Sequence, residues 1–384
     1  MRVSRRGIVD PFIVMDVMEA ARAAEAAGRH IIHMEVGQPG TPAPAGARAA
    51  LARAMGADAL GYTVALGLPD LRAGIAGLYR RWYGVDLDPA RVVVTAGSSA
   101  AFLLAFSALF DAGERVGMGL PGYPSYRQIL RALSLAPVDI PTTAATRFQP
   151  TPDLLAATPD LQGLIVASPG NPSGTMLGRA ELAGLIGACA DRDIAFVSDE
   201  IYHGIQYGPR AVSALEVGDD VYVINSFSKY FSMTGWRVGW MVVPEDHVRV
   251  IERLAQNMFI CPPHASQVAA LAALDCIEEL EANCAVYAEN RRLMLEGLPK
   301  AGFTTFAPPD GAFYIYADVS ALTADSRAFA AEILAGAGVA VTPGLDFDPA
   351  RGHTTLRFSY ARATADIAEG LARLAGFMAQ RKAG

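Results

Sequence analysis

Cysteine is scarce in this chain: four residues in 384, at positions 189, 261, 276 and 284. None forms a C-x-x-C pair, and none has the tight spacing of a metal-ligand set. A zinc module and a disulfide framework are therefore excluded, and no metal is expected. Four reduced thiols point to a cytoplasmic protein. A basic excess is also missing. Thirty-two Lys and Arg against 39 Asp and Glu leave a formal charge of −7, which argues against a nucleic-acid partner. Long apolar runs are absent as well. The longest, Ala100 to Phe110, carries Ser107 and falls well short of the roughly 20 residues a membrane helix needs. No membrane association is expected. Arg2, Arg5 and Arg6 near the start are followed by Asp10, Asp16 and Glu19 without an apolar stretch, so no signal peptide is expected. With 52% hydrophobic and 18% charged residues, the chain can bury a large core and is not disordered. Its length suits roughly two or three domains.

Several catalytic signatures are missing too. There is no G-x-S-x-G elbow and no G-K-[ST] phosphate loop. Gly336 and Gly338 begin a dinucleotide fingerprint, but Val341 stands where its third glycine belongs. Asn171 is followed by Pro172, which rules out glycosylation there. The six histidines are scattered; His203 and His264 read as structural.

What the chain does have is a rhythm of short apolar strand, polar turn and Ala/Leu-rich helix. Strands are expected at 91–95, 114–119, 163–167, 194–198 and 221–224, with helices at 100–110 and 181–192. Continuous β-branched runs alternating with helices predict an α/β fold, a mostly parallel sheet covered on both faces. From about Leu280 the pattern changes. A long polar helix at 281–298, strands at 303–306, 312–317 and 354–358, and helices at 326–337 and 365–382 suggest a smaller α+β unit. The first 40 residues hold a helix at 16–27 and little else. The expected organisation is a large domain over 46–285 and a small domain built from both ends, 1–45 and 286–384.

Ligands of such sheets collect beyond the carboxyl ends of the strands, and five polar clusters sit there. Asn225 to Trp240 (NSFSKYFSMTGWRVGW) holds Lys229 among aromatic residues, with Ser226 and Arg237 nearby. A lysine amine has a pKa of about 10.4 in water, so a nucleophilic lysine needs burial or a neighbouring cation. Ser226 and Arg237 suit a phosphate. Asp199 directly follows a strand and needs a cationic or hydrogen-bonding partner if buried; Tyr202 lies three residues on. Ser168 to Gly174 aims the Asn171 amide through a Pro/Gly turn. Gly97, Ser98 and Ser99 open a helix whose free N–H groups attract an anion. Pro121 to Pro124 presents Tyr123 for stacking. Taken singly, Ser98 and Ser99 read as a helix cap, Tyr62 and Tyr123 as packing, and Arg357 as a surface residue. Together, the clusters match the needs of pyridoxal 5'-phosphate.

In this order and spacing, from Gly37 to Arg357, the sequence resembles the class I/II aminotransferases of the aspartate aminotransferase superfamily, fold type I of the pyridoxal-phosphate enzymes. The resemblance implies a seven-stranded-type central sheet, a homodimer with shared active sites, and amino-group transfer between an L-amino acid and a 2-oxo acid. It makes Lys229 the Schiff-base lysine and proton shuttle. Asp199 would pair with the ring nitrogen, and Asn171 and Tyr202 with the ring oxygen. Tyr123 would stack on the ring. Gly97, Ser98, Ser99, Ser226 and Arg237 would hold the phosphate, joined by Tyr62 from the neighbouring subunit. Arg357 would clamp the substrate carboxylate, with Gly37 at the mouth and Asn171 beside it. The turn at 97–100 lacks the lysine of some aspartate-using relatives, so neutral or aromatic donors are expected to serve at least as well as aspartate. Two alternatives stand beside it: a C–S β-lyase or other eliminating enzyme, whose residue needs overlap almost completely, and a non-catalytic ligand sensor on the same fold. The sensor lacks its usual basic DNA-binding segment here.

Overall fold

The computed structural model describes residues 1–383. In chain order its strands are β1 (Ile32–His33), β2 (Val92–Thr95), β3 (Arg115–Leu120), β4 (Ala136–Pro141), β5 (Gly163–Ala167), β6 (Ala195–Asp199), β7 (Tyr222–Ser226), β8 (Gly239–Val242), β9 (Thr305–Phe306), β10 (Tyr314–Asp318), β11 (Val339–Ala340), β12 (Thr342–Pro343) and β13 (Thr355–Ser359). Seven of them form the central sheet in the order β2-β8-β7-β6-β5-β3-β4. Only β8 runs against its neighbours; the other pairings are parallel. The fold is the expected α/β sheet.

Strand periodicity divides the core in two. Successive side chains point to opposite faces. Val92 and Val94 join one buried cluster, while Val93, between them, joins the other. Helices Ser98–Leu109, Pro124–Ala132 and Val248–Met258 contribute to the second cluster; Pro69–Tyr83, Arg179–Ala190 and His264–Ala273 contribute to the first. Both faces are thereby covered, which explains why these strands read as unbroken apolar runs.

A second sheet is antiparallel, in the order β12-β13-β10-β9. The first and last thirds of the chain meet where β1 pairs in parallel with β11. Ile32 of β1 and Met34 just after it are buried in the first cluster, close to Gly370 of the C-terminal helix Thr364–Ala383.

Most element limits shift by one to three residues from expectation; the strand at 163–167 and the helix at 326–337 coincide. The N-terminal helix begins at Ile13 rather than Asp16, because the Asp346 carboxylate accepts from the free backbone N–H groups of Ile13 and Val14, at 2.9 and 3.1 Å. Strands β4 and β8 were not expected.

Candidate active site

Five loops leave the same edge of the central sheet. Between them and the second sheet lies a cleft of about 240 Å³. Ten expected residues line it: Gly37, Ser98, Ser99, Tyr123, Asn171, Asp199, Tyr202, Lys229, Arg237 and Arg357.

Lys229 follows β7 by three residues. Its ammonium donates to the Gly37 carbonyl at 2.7 Å. Burial is the largest cause that lowers its pKa, to about 8, with Arg357 and Arg237 adding repulsion; Asp199 opposes them. A lysine in this setting can supply the neutral amine that nucleophilic and proton-transfer chemistry requires.

Asp199 closes β6 and is 4% exposed. Burial pushes its pKa up to about 6, against hydrogen bonds from Tyr126 and the Ile201 backbone and the charge of Lys229. The Tyr126 hydroxyl donates to one carboxylate oxygen, and the Ile201 N–H reaches the other at 3.1 Å. Among the described residues no full counter-cation touches the acid, so it has capacity to spare for one.

At the other end of the cleft, Arg357 is 3% exposed on β13. Its guanidinium lies between the rings of Tyr314 and Phe347, at 4.5 and 4.6 Å. One Nη donates to Asn171 Oδ1 at 3.0 Å, the other to the Glu35 carbonyl, and Nε is buried without a partner. An oriented, under-satisfied guanidinium suits a carboxylate. Tyr202 is bonded to Tyr314 through their hydroxyls at 2.8 Å.

The anion end is equally specific. Gly97 caps helix Ser98–Leu109 at φ +78 with no side-chain cap bond. A β-carbon there would lie 2.3 Å from the Arg237 guanidinium, so the close approach and the backbone angle both demand glycine. The expectation that Ser98 or Ser99 caps the helix is thus corrected; both belong to its first turn.

Three expected residues, Gly97, Ser226 and Tyr62, lie off the cleft lining. Ser226 is turned inward, bonded to Ser228 Oγ at 2.8 Å and to the Val238 carbonyl at 3.1 Å; Ser228 lines the cleft in its stead. Tyr62 is 83% exposed. It sits in a surface groove with Phe259, Cys261 and His264, away from this chain's own cleft. Conversely, Phe12, Val14, Met15, Val36, Tyr126 and Tyr314 line the cleft and escaped the sequence reading. Tyr126 carried a signal: it stands three residues from Tyr123 at a helix start, a spacing that shares one face, and the two rings meet edge to face at 5.3 Å.

Comparison with known proteins bears on this geometry. The family model for class I and II aminotransferases matches residues 29–374. The chain belongs to that family. A valine–pyruvate aminotransferase of Mycobacterium tuberculosis is 47% identical over 382 residues, 98% of each chain. A solved aminotransferase from the same organism superposes with a TM-score of 0.97 at 47% identity, over 99% of this chain and 100% of its own. A solved chain from Silicibacter pomeroyi is 70% identical, with a TM-score of 0.95 over 99% and 100%. The protein is therefore a transaminase of the aspartate aminotransferase fold, moving an amino group between an amino acid and a keto acid. Among the residue-level alternatives, transfer is favoured over elimination.

Proposed function

We propose that this transaminase uses pyridoxal 5'-phosphate, takes neutral L-amino acids as donors, and works in the cytoplasm as a homodimer. The carrying observation is one cleft that holds a buried amine, a buried acid without a counter-cation, an anion end at the start of a glycine-capped helix and an under-satisfied arginine. These residues fit the cofactor. When bound, it supplies an aldehyde carbon for amine capture and a ring that accepts electrons.

The roles follow from chemistry. Lys229 would hold the cofactor through its aldehyde carbon, and its amine, when free, would be the base that takes the donor's α-proton and gives it back. Asp199 keeps a proton on the ring nitrogen, while Asn171 and Tyr202 orient the ring oxygen and Tyr123 supports the ring face. The N–H groups of Ser98 and Ser99, with Gly97, Ser228 and Arg237, receive the phosphate; Ser226 supports them through its bond to Ser228. Arg357 fixes the α-carboxylate, with Gly37 and Asn171 beside it. We assign these parts to a large domain over 46–285 and a small domain from 1–45 with 286–384.

The donor class is supported by what surrounds the remaining space. Phe12, Val14, Met15 and Val36 are apolar, and the cations of the cleft are Lys229, Arg237 and Arg357. All three are engaged in the roles above. A donor with a second carboxylate meets no further cation, whereas a branched apolar side chain meets apolar neighbours. The valine and pyruvate in the Mycobacterium relative's name agree. With pyruvate as acceptor, catalytic efficiency for valine is expected to exceed that for aspartate by about tenfold or more, roughly 1.4 kcal/mol. A hundredfold preference for aspartate would overturn the donor assignment.

The dimer reading rests on exposed apolar side chains around Tyr62: Val64, Met258 and Ile260 are each about half exposed. A tyrosine displayed among them suits a neighbour's phosphate better than its own. Sedimentation of the loaded enzyme should give twice the 40.5 kDa chain mass. A fully active monomer would refute sharing.

A further inference from the structure

Glu35 is a buried acid that the roles above leave unused. Its side chain is 1% exposed, and Oε2 is sealed without a hydrogen-bond partner. Oε1 meets Nδ1 of His33 at 2.8 Å, and the other ring nitrogen, Nε2, meets Glu25 of the N-terminal helix at 3.0 Å. A lone buried carboxylate is expensive, so this one asks for a reason.

The reason lies in the backbone that carries it. Met34, Glu35 and Gly37 present carbonyls to four donors. The Met34 carbonyl accepts from the Ser359 N–H on β13 at 2.7 Å. The Glu35 carbonyl accepts from Arg357 and, at 2.7 Å, from the Thr342 hydroxyl. The Gly37 carbonyl accepts from Lys229. A β-carbon on Gly37 would collide with the Tyr314 hydroxyl at 1.6 Å, so the segment lies hard against the cleft wall and has little room to shift. This short segment therefore holds both the carboxylate-reading arginine and the reactive amine.

We infer that the His33–Glu35 pair is a positioning device: it locks the Glu35–Gly37 backbone so that Arg357 and Lys229 stand at the right separation for an amino acid. The inference rests on the assignment of Arg357 to the α-carboxylate. Without the imidazole, the Glu35 carboxylate would sit buried and unpaired. The segment would then turn to hydrate it, drawing the Glu35 carbonyl away from Arg357. His33 and Glu35 touch no reacting atom, so they act through Arg357.

A pH signature follows. The hydrogen bond to Glu35 is the largest cause raising the His33 pKa, to about 9, with Glu25 adding to it and burial opposing. The other charged groups near this end of the sheet lie on the C-terminal helix: Arg373 donates to His30 Nδ1 at 2.9 Å and to the Glu369 carboxylate. His33 with both nitrogens protonated serves both acids; neutral, it can donate to only one. The folded pKa lies above the ordinary 6.5, so the lock is complete below that value and fades as pH rises through about 9.

The test compares native enzyme, His33→Leu, Glu35→Gln and Arg357→Lys, all loaded with cofactor. It measures KM and kcat for valine and the calorimetric Kd of 3-methylbutanoate, a donor shape with no amine to titrate. His33→Leu should raise KM and Kd at pH 7.5 by about tenfold, with kcat changed less than about threefold. In the native enzyme the Kd should rise between pH 8 and 10. In Glu35→Gln that rise should move to lower pH, because the anion holding the His33 proton is gone; Lys229 and the cofactor are the same in both proteins, so the difference isolates the pair. Native-like Kd in His33→Leu beside a raised Kd in Arg357→Lys would overturn the inference alone. Native-like Kd in Arg357→Lys would instead sink the carboxylate assignment. Should His33→Leu fail to fold, superimposable pH profiles of native enzyme and Glu35→Gln would overturn the inference.

Discussion

Lys229→Ala is expected to lower turnover by at least about 10⁴-fold. A positioned general base alone contributes up to about that factor, and Lys229 is assigned covalent attachment as well. The buried amine has no understudy: the other cations of the cleft are Arg237 and Arg357, and a guanidinium does not lose its proton in proteins. The phosphate end of the cleft is built from separate residues, so the variant should still bind cofactor, more weakly. The covalent absorbance band should be missing, while cofactor released by denaturation should remain detectable. Turnover within about tenfold of native would refute the role.

The same residues show how far the sequence alone could be read. Lys229, Asp199, Asn171 and Arg237 were legible because strand ends and Pro/Gly turns confine them to one sheet edge. Arg357 was legible only through the family pattern. What makes it exceptional, a guanidinium between Tyr314 and Phe347 with a vacant Nε, comes from three distant segments. Strand β4 was hidden because Ala136–Pro141 contains two prolines and Asp139, which read as loop. It is the edge strand of the sheet, where proline is tolerated. Strand β8 was hidden inside the lysine motif, whose glycines and serines drew attention to phosphate chemistry. It runs antiparallel between β2 and β7, and so brings Gly239 against Gly97 and Ser98. The cleft's apolar wall was invisible for another reason. Phe12, Val14 and Met15 look like ordinary residues at a helix start. Only the clasp of Asp346 on Ile13 and Val14, more than 330 residues away in sequence, brings them to the site.

Asp199→Asn should have opposite effects on the empty and the loaded protein. In the empty protein the acid is a burden: burial raises its pKa from 3.8 to about 6. Between those values the folded protein holds a proton that the unfolded chain has released. Stability attributable to this group is therefore full below pH 3.8 and falls as pH rises through about 6. The loss amounts to about 3 kcal/mol at most, from two pKa units at 1.36 kcal/mol each. An asparagine of the same shape carries no such charge. It can still accept from the Ile201 N–H, and its amide can donate to Tyr126. The empty variant should melt a few degrees higher than the native protein at pH 7.5 and show little difference at pH 4. In the loaded protein the sign reverses. A buried carboxylate facing a ring cation is a pair whose disruption costs roughly 3–5 kcal/mol, so cofactor affinity should fall by about 10²–10³-fold. Turnover should fall too, because a ring nitrogen without its proton accepts electrons poorly. Calorimetric melting of both forms at the two pH values, with cofactor titration by fluorescence, separates the two effects. An empty variant no more stable than native at pH 7.5 would mean that Asp199 is not held as an uncompensated acid. Unchanged cofactor affinity would mean that it does not face the ring.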